Sequence, residues 1–306
     1  MDDLPPRPAP APVHREAVPP PAAPRLRFSL GVLLAAIPCL VIVSVLGLLG
    51  GSLLVTHSLP TSNEGSLELI GDLLAHPLGI AFLILPGQVT LIALAAFPAA
   101  FSPTAFRRRL GLVPWTVSTR SVLLLVAAAP AVQFLAVLPV QLLGLEADEQ
   151  LEFIGRLISE PRGLSAVIMF SAVVFGAGFA EELLFRGYVQ RRLLQRWSAP
   201  AAIAVPGVVF AAMHMSPVHA LGVLPLGLWM GFLAWRTGSV VPAMLAHMTN
   251  NALGVVVALL TATPAEGASM DMAQNPSWYW IGVAVGAVCL VAGLRSLARE
   301  TRERQP

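Results

Sequence analysis

Long apolar segments alternate with short polar segments along most of the chain. Eight apolar blocks occupy 28–55, 77–101, 121–145, 163–185, 200–214, 218–235, 239–260 and 278–294. A helix needs about 20 apolar residues to cross the roughly 30 Å hydrocarbon core of a bilayer. A membrane β-barrel would instead show short segments of alternating hydrophobicity. The pattern therefore predicts an all-α fold, a polytopic transmembrane helix bundle with about eight spanning helices.

Composition supports this class of protein. Hydrophobic residues make up 56% of the chain and charged residues 12%, whereas soluble domains carry about 25% charged residues. The two cysteines, Cys39 and Cys289, lie in separate apolar blocks and lack the spacing of a metal site or a disulfide framework. The net charge of +2 says little, and we expect the lipid bilayer, and no nucleic acid, as a partner.

The same pattern divides the chain into four segments. Residues 1–25 are rich in proline and alanine and predict a disordered cytoplasmic tail. Residues 26–162 would hold the N-terminal transmembrane helices, and residues 163–260 a core that carries the unusual polar positions. Residues 261–306 would form the last transmembrane helix and a basic cytoplasmic tail.

Arginine placement predicts the orientation, because cytoplasmic loops of membrane proteins carry an excess of basic residues. With the N-terminus in the cytoplasm, eight spans leave only Arg156 and Arg162 in the outer loops. Those loops also hold most of the acidic residues, including Glu266 and Asp271. We therefore expect both termini in the cytoplasm and the protein in the cell (plasma) membrane.

Glu181 and Glu182 are the only acidic residues within or at the edge of an apolar block. A carboxylate at the centre of a bilayer costs at least about 2.5 kcal/mol. Acidic residues at such positions are therefore expected to be paired, to face a cavity and to have a function. Glu182 and Arg186 are four residues apart and would stack on one face of a helix. Glu181 would point about 100° away, which leaves it available as a general base. The alternative is a charge pair at the helix end with a snorkelling arginine.

Two further polar groups lie on later apolar blocks. Phe210 and His214 are one helical turn apart, and His247 and Asn251 share one face of another helix. The block before His214 has about 14 residues, roughly 21 Å of helix, so its hairpin could place His214 below the outer surface. An interfacial cap at His214, and polar residues that hold helices together at His247 and Asn251, are the simpler interpretations.

Together these blocks supply one carboxylate, two imidazoles and an amide from three helices. A carboxylate can activate water, a histidine can hold or share its proton, and His with Asn can stabilise an oxyanion. Glu181, His214 and His247 could instead bind a divalent metal such as zinc. The chain lacks the H-E-x-x-H motif of zinc peptidases and the G-x-S-x-G motif of serine hydrolases.

At these residues the sequence resembles the CPBP family of CAAX proteases and bacteriocin-processing enzymes, also called the Abi family. The family motifs E-E-x-x-x-R, F-x-x-x-H and H-x-x-x-N occur in order, as Glu181-Glu182 to Arg186, Phe210 to His214 and His247 to Asn251. The resemblance covers about residues 165–260 and implies that segment 163–260 is a CPBP-like catalytic core.

The resemblance implies an eight-helix intramembrane endopeptidase that acts on a membrane-associated peptide or protein. It implies Glu181 as the base that activates water and His214 as the residue that holds or assists that water. His247 and Asn251 would form the oxyanion site, and the site would be shaped by Glu182, Arg186 and Phe210. Metalloprotease chemistry and a glutamate mechanism without metal both stay open, with a slight preference for no tightly bound metal.

Two other functions compete with this hypothesis. A non-catalytic immunity or scaffold protein of the same family could keep the polar cluster for binding or packing. A proton-coupled transporter could use Glu181 as a relay, although the chain shows no repeat symmetry and no matching pair of broken helices. Intact motifs favour the peptidase.

Overall fold

A computed structural model describes residues 26–59, 63–261 and 277–303 of the chain. The proline-rich tail 1–25, which is predicted to be disordered, lies outside the described residues. So does the outer-loop segment that carries Glu266 and Asp271.

Within the described ranges every regular element is a helix, which confirms the predicted all-α bundle. We number the helices in chain order. They are α1 (Leu26–Val55), α2 (Asn63–Ala75), α3 (Pro77–Ala100), α4 (Phe106–Arg109), α5 (Thr119–Ala127), α6 (Ala129–Leu142), α7 (Glu149–Ser159), α8 (Gly163–Leu193), α9 (Ala199–Ala212), α10 (Pro217–Thr237), α11 (Val241–Thr261) and α12 (Ser277–Glu303).

Six of these helices are long and apolar enough to cross a membrane, namely α1, α3, α8, α10, α11 and α12. The predicted block 121–145 is a bent pair, α5 and α6, with an angle of 42° between its halves, and it adds a seventh span if the pair crosses as one. Pro130 in the first turn of α6 explains the break, because proline has no N–H to continue the hydrogen bonds of α5. The remaining apolar block, 200–214, forms the short helix α9, which is below the length of the six spanning helices.

Helix α8 is longer than predicted and runs through the middle of the bundle. The predicted block ends at residue 185, but the helix continues to Leu193, and its side chains from Leu183 to Gln190 are all buried. They pack against α1, α3, α9 and α10. Because neighbours cover it on every side, polar side chains in this stretch meet protein rather than lipid.

Two stretches of α8 are π-helical, at Ala172–Gly176 and Leu183–Gln190. A π turn inserts an extra residue and rotates the side chains that follow, and such turns occur often at functional sites. The two carboxylates lie in the α-helical stretch between them, Ala177–Glu182. The predicted pairing of Glu182 with Arg186 is kept although Arg186 lies in the second π-helical stretch.

Helix α7 was not predicted, since its segment was interpreted as an outer loop. Asp148 caps its first turn by accepting a hydrogen bond from Leu151 N, and apolar and polar residues separate onto opposite faces, as in a helix at a surface. Leu157 and Ile158 pack on the cluster around Met169. Asp148 Oδ2 also accepts a hydrogen bond of 2.5 Å from Ser216 Oγ, which ties α7 to the α9–α10 hairpin.

Candidate active site

An ion pair on α8 forms the base of the site. Glu182 Oε1 accepts a hydrogen bond of 2.8 Å from Arg186 Nη1, and both side chains are fully buried. Arg186 Nη2 donates to Gly227 O of α10 at 2.6 Å. One turn of α8 thus holds a carboxylate that a second helix helps to fix, which is how a buried ion pair offsets its desolvation cost.

Phe210 of α9 closes the other side of this pair. The Arg186 guanidinium lies 4.6 Å from the centre of the Phe210 ring, a cation–π distance. Phe185 meets the same ring edge to face at 5.6 Å. A side chain at Gly227 would press on this ring, because a Cβ there would lie 3.0 Å from Phe210 Cδ1.

His247 of α11 is the second donor to Glu182. Its Nδ1 lies 3.0 Å from Glu182 Oε1, and since a carboxylate only accepts, Nδ1 carries the proton that it donates. This bond assigns the tautomer and orients the ring. Its Nε2 then points to the neighbouring carboxylate, 3.9 Å from Glu181 Oε2.

Glu181 differs from Glu182 although the two are adjacent in sequence. Its side chain is 16% exposed, whereas that of Glu182 is 0% exposed. Among the described residues Glu181 has no hydrogen-bond partner, and its nearest polar neighbour is His247. Glu182 is therefore held by two donors, whereas Glu181 is partly exposed and has no hydrogen-bond donor among the described residues.

His214 joins the cluster through an aromatic ring rather than by a direct polar contact. Its Nδ1 lies 3.0 Å from Phe210 O, one turn earlier in the chain. The Phe210 ring contacts both imidazoles, with its centre 5.2 Å from that of His214 and 5.9 Å from that of His247. His214 also contacts His219 at 4.5 Å. The structure places His214 at the edge of the site.

Asn251 reaches α8 at the π-helical stretch. Its Nδ2 donates to Val173 O at 2.8 Å, so one of its two N–H groups is used and one remains. The neighbouring Asn250 is 9% exposed, and its Oδ1 is buried without a hydrogen-bond partner among the described residues. Asn251 therefore links the helix of His247 to the helix of Glu181.

The alternative of a metal held by Glu181, His214 and His247 can be compared with this geometry. Within residues 26–59, 63–261 and 277–303, no three His, Cys, Asp or Glu side chains are grouped so that they could hold a metal ion. His247 Nδ1 is occupied by Glu182, and the ring of Phe210 packs against the rings of both histidines. These side chains, as placed, do not fit a shared metal.

The sequence analysis did not identify two glutamine side chains whose amides donate hydrogen bonds to backbone carbonyls of a neighbouring helix. Gln88 of α3 donates from Nε2 to Ala172 O at 2.6 Å, and Gln190 of α8 donates to Gly231 O of α10 at 2.8 Å. The available signal was a lone amide side chain in a long apolar helix, which is the kind of polar position that joins spanning helices.

Comparison with known proteins adds an independent finding. The family model described as type II CAAX prenyl endopeptidase Rce1-like matches residues 163–253. This segment therefore resembles an Rce1-like domain. The resemblance drawn from the three motifs is thereby confirmed over helices α8 to α11. No curated protein and no solved structure matches the chain.

The Rce1-like domain contains all of the site residues predicted from the motifs, from Glu181 to Asn251. It accounts for about a third of the chain and leaves α1 to α7 and α12 outside the match. With several apolar helices around it, the match supports a multi-pass membrane protein of an intramembrane endopeptidase family in general.

Proposed function

We propose that the protein is an intramembrane endopeptidase that hydrolyses a peptide bond with water activated by Glu181. The observation that carries this proposal is the contrast between two adjacent carboxylates. Glu182 is fully buried and bound by Arg186 and His247, while Glu181 is partly exposed and faces His247 Nε2. A bound carboxylate orients its neighbours, and an unbound one can accept a proton.

The attacking water would lie between Glu181 and His247. The 3.9 Å between Oε2 and Nε2 is too long for a direct hydrogen bond, and both atoms accept when Nδ1 carries the proton of a neutral ring. A water molecule can donate one hydrogen to each. Glu182 keeps His247 in the required orientation, as a carboxylate does for the histidine of a serine protease.

In the reaction, Glu181 takes a proton from this water, and the water oxygen bonds to the carbonyl carbon of the peptide. The second N–H of Asn251 would stabilise the resulting oxyanion. His247, expected from the sequence to share this role, would hold the water instead, because its Nε2 accepts when Nδ1 carries the proton. Protonated Glu181 then gives its proton to the amide nitrogen as the C–N bond breaks. The products are one new carboxylate and one new amine. His214, at the edge of the site, would assist in holding water or substrate.

The substrate would be a membrane-associated peptide or protein, cleaved at or within the cytoplasmic half of the bilayer. We place the protein in the plasma membrane with both termini in the cytoplasm, on the basis of the arginine distribution. No step of this mechanism uses a metal. Chelation and metal analysis of the purified protein test that part, and full activity of metal-free protein is the expected result.

Comparative N-terminomics tests the peptidase assignment. Membranes from cells that express the wild type, Glu181→Ala or Thr90→Val at equal levels are compared for new peptide N-termini. Thr90 is a suitable control because its hydroxyl binds only Pro86 O of its own helix. We expect N-termini that depend on the wild type and Thr90→Val and disappear with Glu181→Ala. Identical N-termini in all three would refute the assignment and favour a non-catalytic protein.

A further inference from the structure

We propose that Gln88 of α3 is a positioning residue for Glu181, although it lies outside the Rce1-like domain. It would act through the π-helical stretch of α8, by fixing the rotation of the helix turn that carries both carboxylates. This inference rests on the proposed function, since its consequence is a rate of peptide hydrolysis.

Gln88 lies near the middle of α3, where an amide side chain in hydrocarbon must find a partner. Its partner is unusual. Ala172 O accepts the 2.6 Å hydrogen bond from Gln88 Nε2 and also the N–H of Ala177, five residues ahead in the π turn. The amide of Gln88 therefore binds the carbonyl that defines the π geometry.

Gly176 makes this contact possible. A Cβ at Gly176 would overlap Gln88 Oε1, so the amide lies directly against the backbone of α8. Glycine at this point permits the close approach of α3 and α8. Gly176 of α8 therefore leaves the space that the side-chain amide of Gln88 from α3 occupies.

Asn251 holds the next carbonyl from the opposite helix. Its bond to Val173 O follows the bond of Gln88 to Ala172 O by one residue. Two side-chain amides, from α3 and α11, therefore clamp consecutive carbonyls of one π turn. Gln88 is the half of this clamp that has no other assigned role.

The clamp lies just before the turn of α8 that presents Glu181. A π turn adds about one residue to the helix repeat, so its loss would rotate the following side chains by roughly 100°. Glu181 is unbound and depends on helix rotation to face His247 Nε2. Glu182 is held by Arg186 and His247 and would resist that rotation. Partial loss of the clamp should therefore misplace Glu181 first.

Steady-state kinetics of Gln88→Met and Gln88→Glu in the full-length protein tests this inference. Methionine has similar length and no donor, so we expect kcat to fall on the order of 10- to 100-fold with little change in KM. A glutamate at 88 donates to Ala172 O only when protonated. The ratio of the kcat of Gln88→Glu to that of the wild type should therefore rise as pH falls. If residue 88 only filled space between α3 and α8, this ratio would not depend on pH.

Thr90→Val is the matched control on the same helix, and wild-type kinetics are expected for it because its hydroxyl binds only its own helix. If Glu181→Ala is inactive while Gln88→Met cleaves as fast as the wild type, the role of Gln88 is refuted and the peptidase assignment stands. A ratio for Gln88→Glu that does not change with pH would also overturn it. Activity in Glu181→Ala would instead refute the proposed function.

Discussion

Glu182 in the middle of the bundle and Glu300 near one end are carboxylates that both connect distant helices. Glu300 of α12 accepts hydrogen bonds from Ser118 N at 2.9 Å, Ser118 Oγ at 2.7 Å and Ser121 Oγ at 2.6 Å. These donors are neutral and lie at the start of α5. Glu300 thus caps a helix that is 182 residues away from it in the chain.

Glu182 is bound in a different way. Both of its donors, Arg186 and His247, act on the single atom Oε1, and Oε2 is buried without a partner among the described residues. One donor is a cation and the other is an imidazole whose second nitrogen faces a further carboxylate. The Glu300 hydrogen bonds above join it to helix backbone and hydroxyls, whereas the Glu182 cluster leads through His247 to Glu181, whose side chain is partly exposed.

The difference shows how a structural carboxylate and a site carboxylate can be told apart. Helix caps bind a carboxylate with neutral donors and stabilise the fold. A site carboxylate is bound so that it orients a titratable neighbour and leaves a second polar group available. Substitutions at the two positions should therefore separate effects on stability from effects on activity.

Glu182→Gln should have the largest effect. It removes the charge that compensates the buried Arg186, and breaking a buried ion pair costs about 3–5 kcal/mol. It also loses the acceptor that orients His247. We expect a clear drop in thermal stability together with loss of cleavage, measured by unfolding in detergent and by peptidase assay.

Glu181→Gln is the matched control at the adjacent position. Since Glu181 has no hydrogen-bond partner among the described residues, its amide should leave the unfolding temperature close to that of the wild type. Equal destabilisation by the two variants would mean that both carboxylates are structural, and the distinction between Glu181 and Glu182 would be wrong.

Glu300→Gln should have a smaller effect, and on stability alone. The amide retains one acceptor oxygen and loses the other, which weakens the cap of α5. We expect a loss of about 1 kcal/mol, in the range of helix caps. The rate of cleavage per folded protein should not change. A loss of rate larger than the loss of folded protein would show that the two clusters are coupled.

The smallest effect concerns the bond between Asp148 and Ser216. The hydroxyl of Ser216 holds the pKa of Asp148 below its ordinary value of 3.8. A carboxylate with a lowered pKa contributes stability that is present above its ordinary pKa and is lost as pH falls through the lowered value. The gap in unfolding temperature between wild type and Asp148→Asn should therefore shrink between about pH 7 and about pH 3. A gap independent of pH would contradict this.

The all-α fold and the resemblance of the motif-bearing segment to the family could be predicted from the sequence, because both depend on local signals. Hydrophobic length marks a spanning helix, and the four-residue spacing of Glu182 and Arg186 placed them on one face, where the structure pairs them at 2.8 Å. The catalytic roles of Glu181, His214, His247 and Asn251 stay predictions.

Other features could not be predicted, since they depend on contacts between distant parts of the chain. Two carbonyls of the π turn at Ala172–Gly176 accept hydrogen bonds from distant side chains, Ala172 O from Gln88, 84 residues earlier, and Val173 O from Asn251, 78 residues later. No local pattern around residue 172 indicates either partner. The cap of α5 by Glu300 has the same character, because neither end of that contact can be recognised without the other.

If Glu181 activates the water that cleaves the peptide bond, its loss must slow the entry of water oxygen into the product. Wild type and Glu181→Gln, both freed of metal, are given a substrate found by N-terminomics in water labelled with ¹⁸O, and the initial rate of labelled product is followed by mass spectrometry. We expect the wild type to place ¹⁸O in the new carboxylate and the variant to be slower by on the order of 10³-fold. Labelled product from the variant at the wild-type rate would contradict the claim.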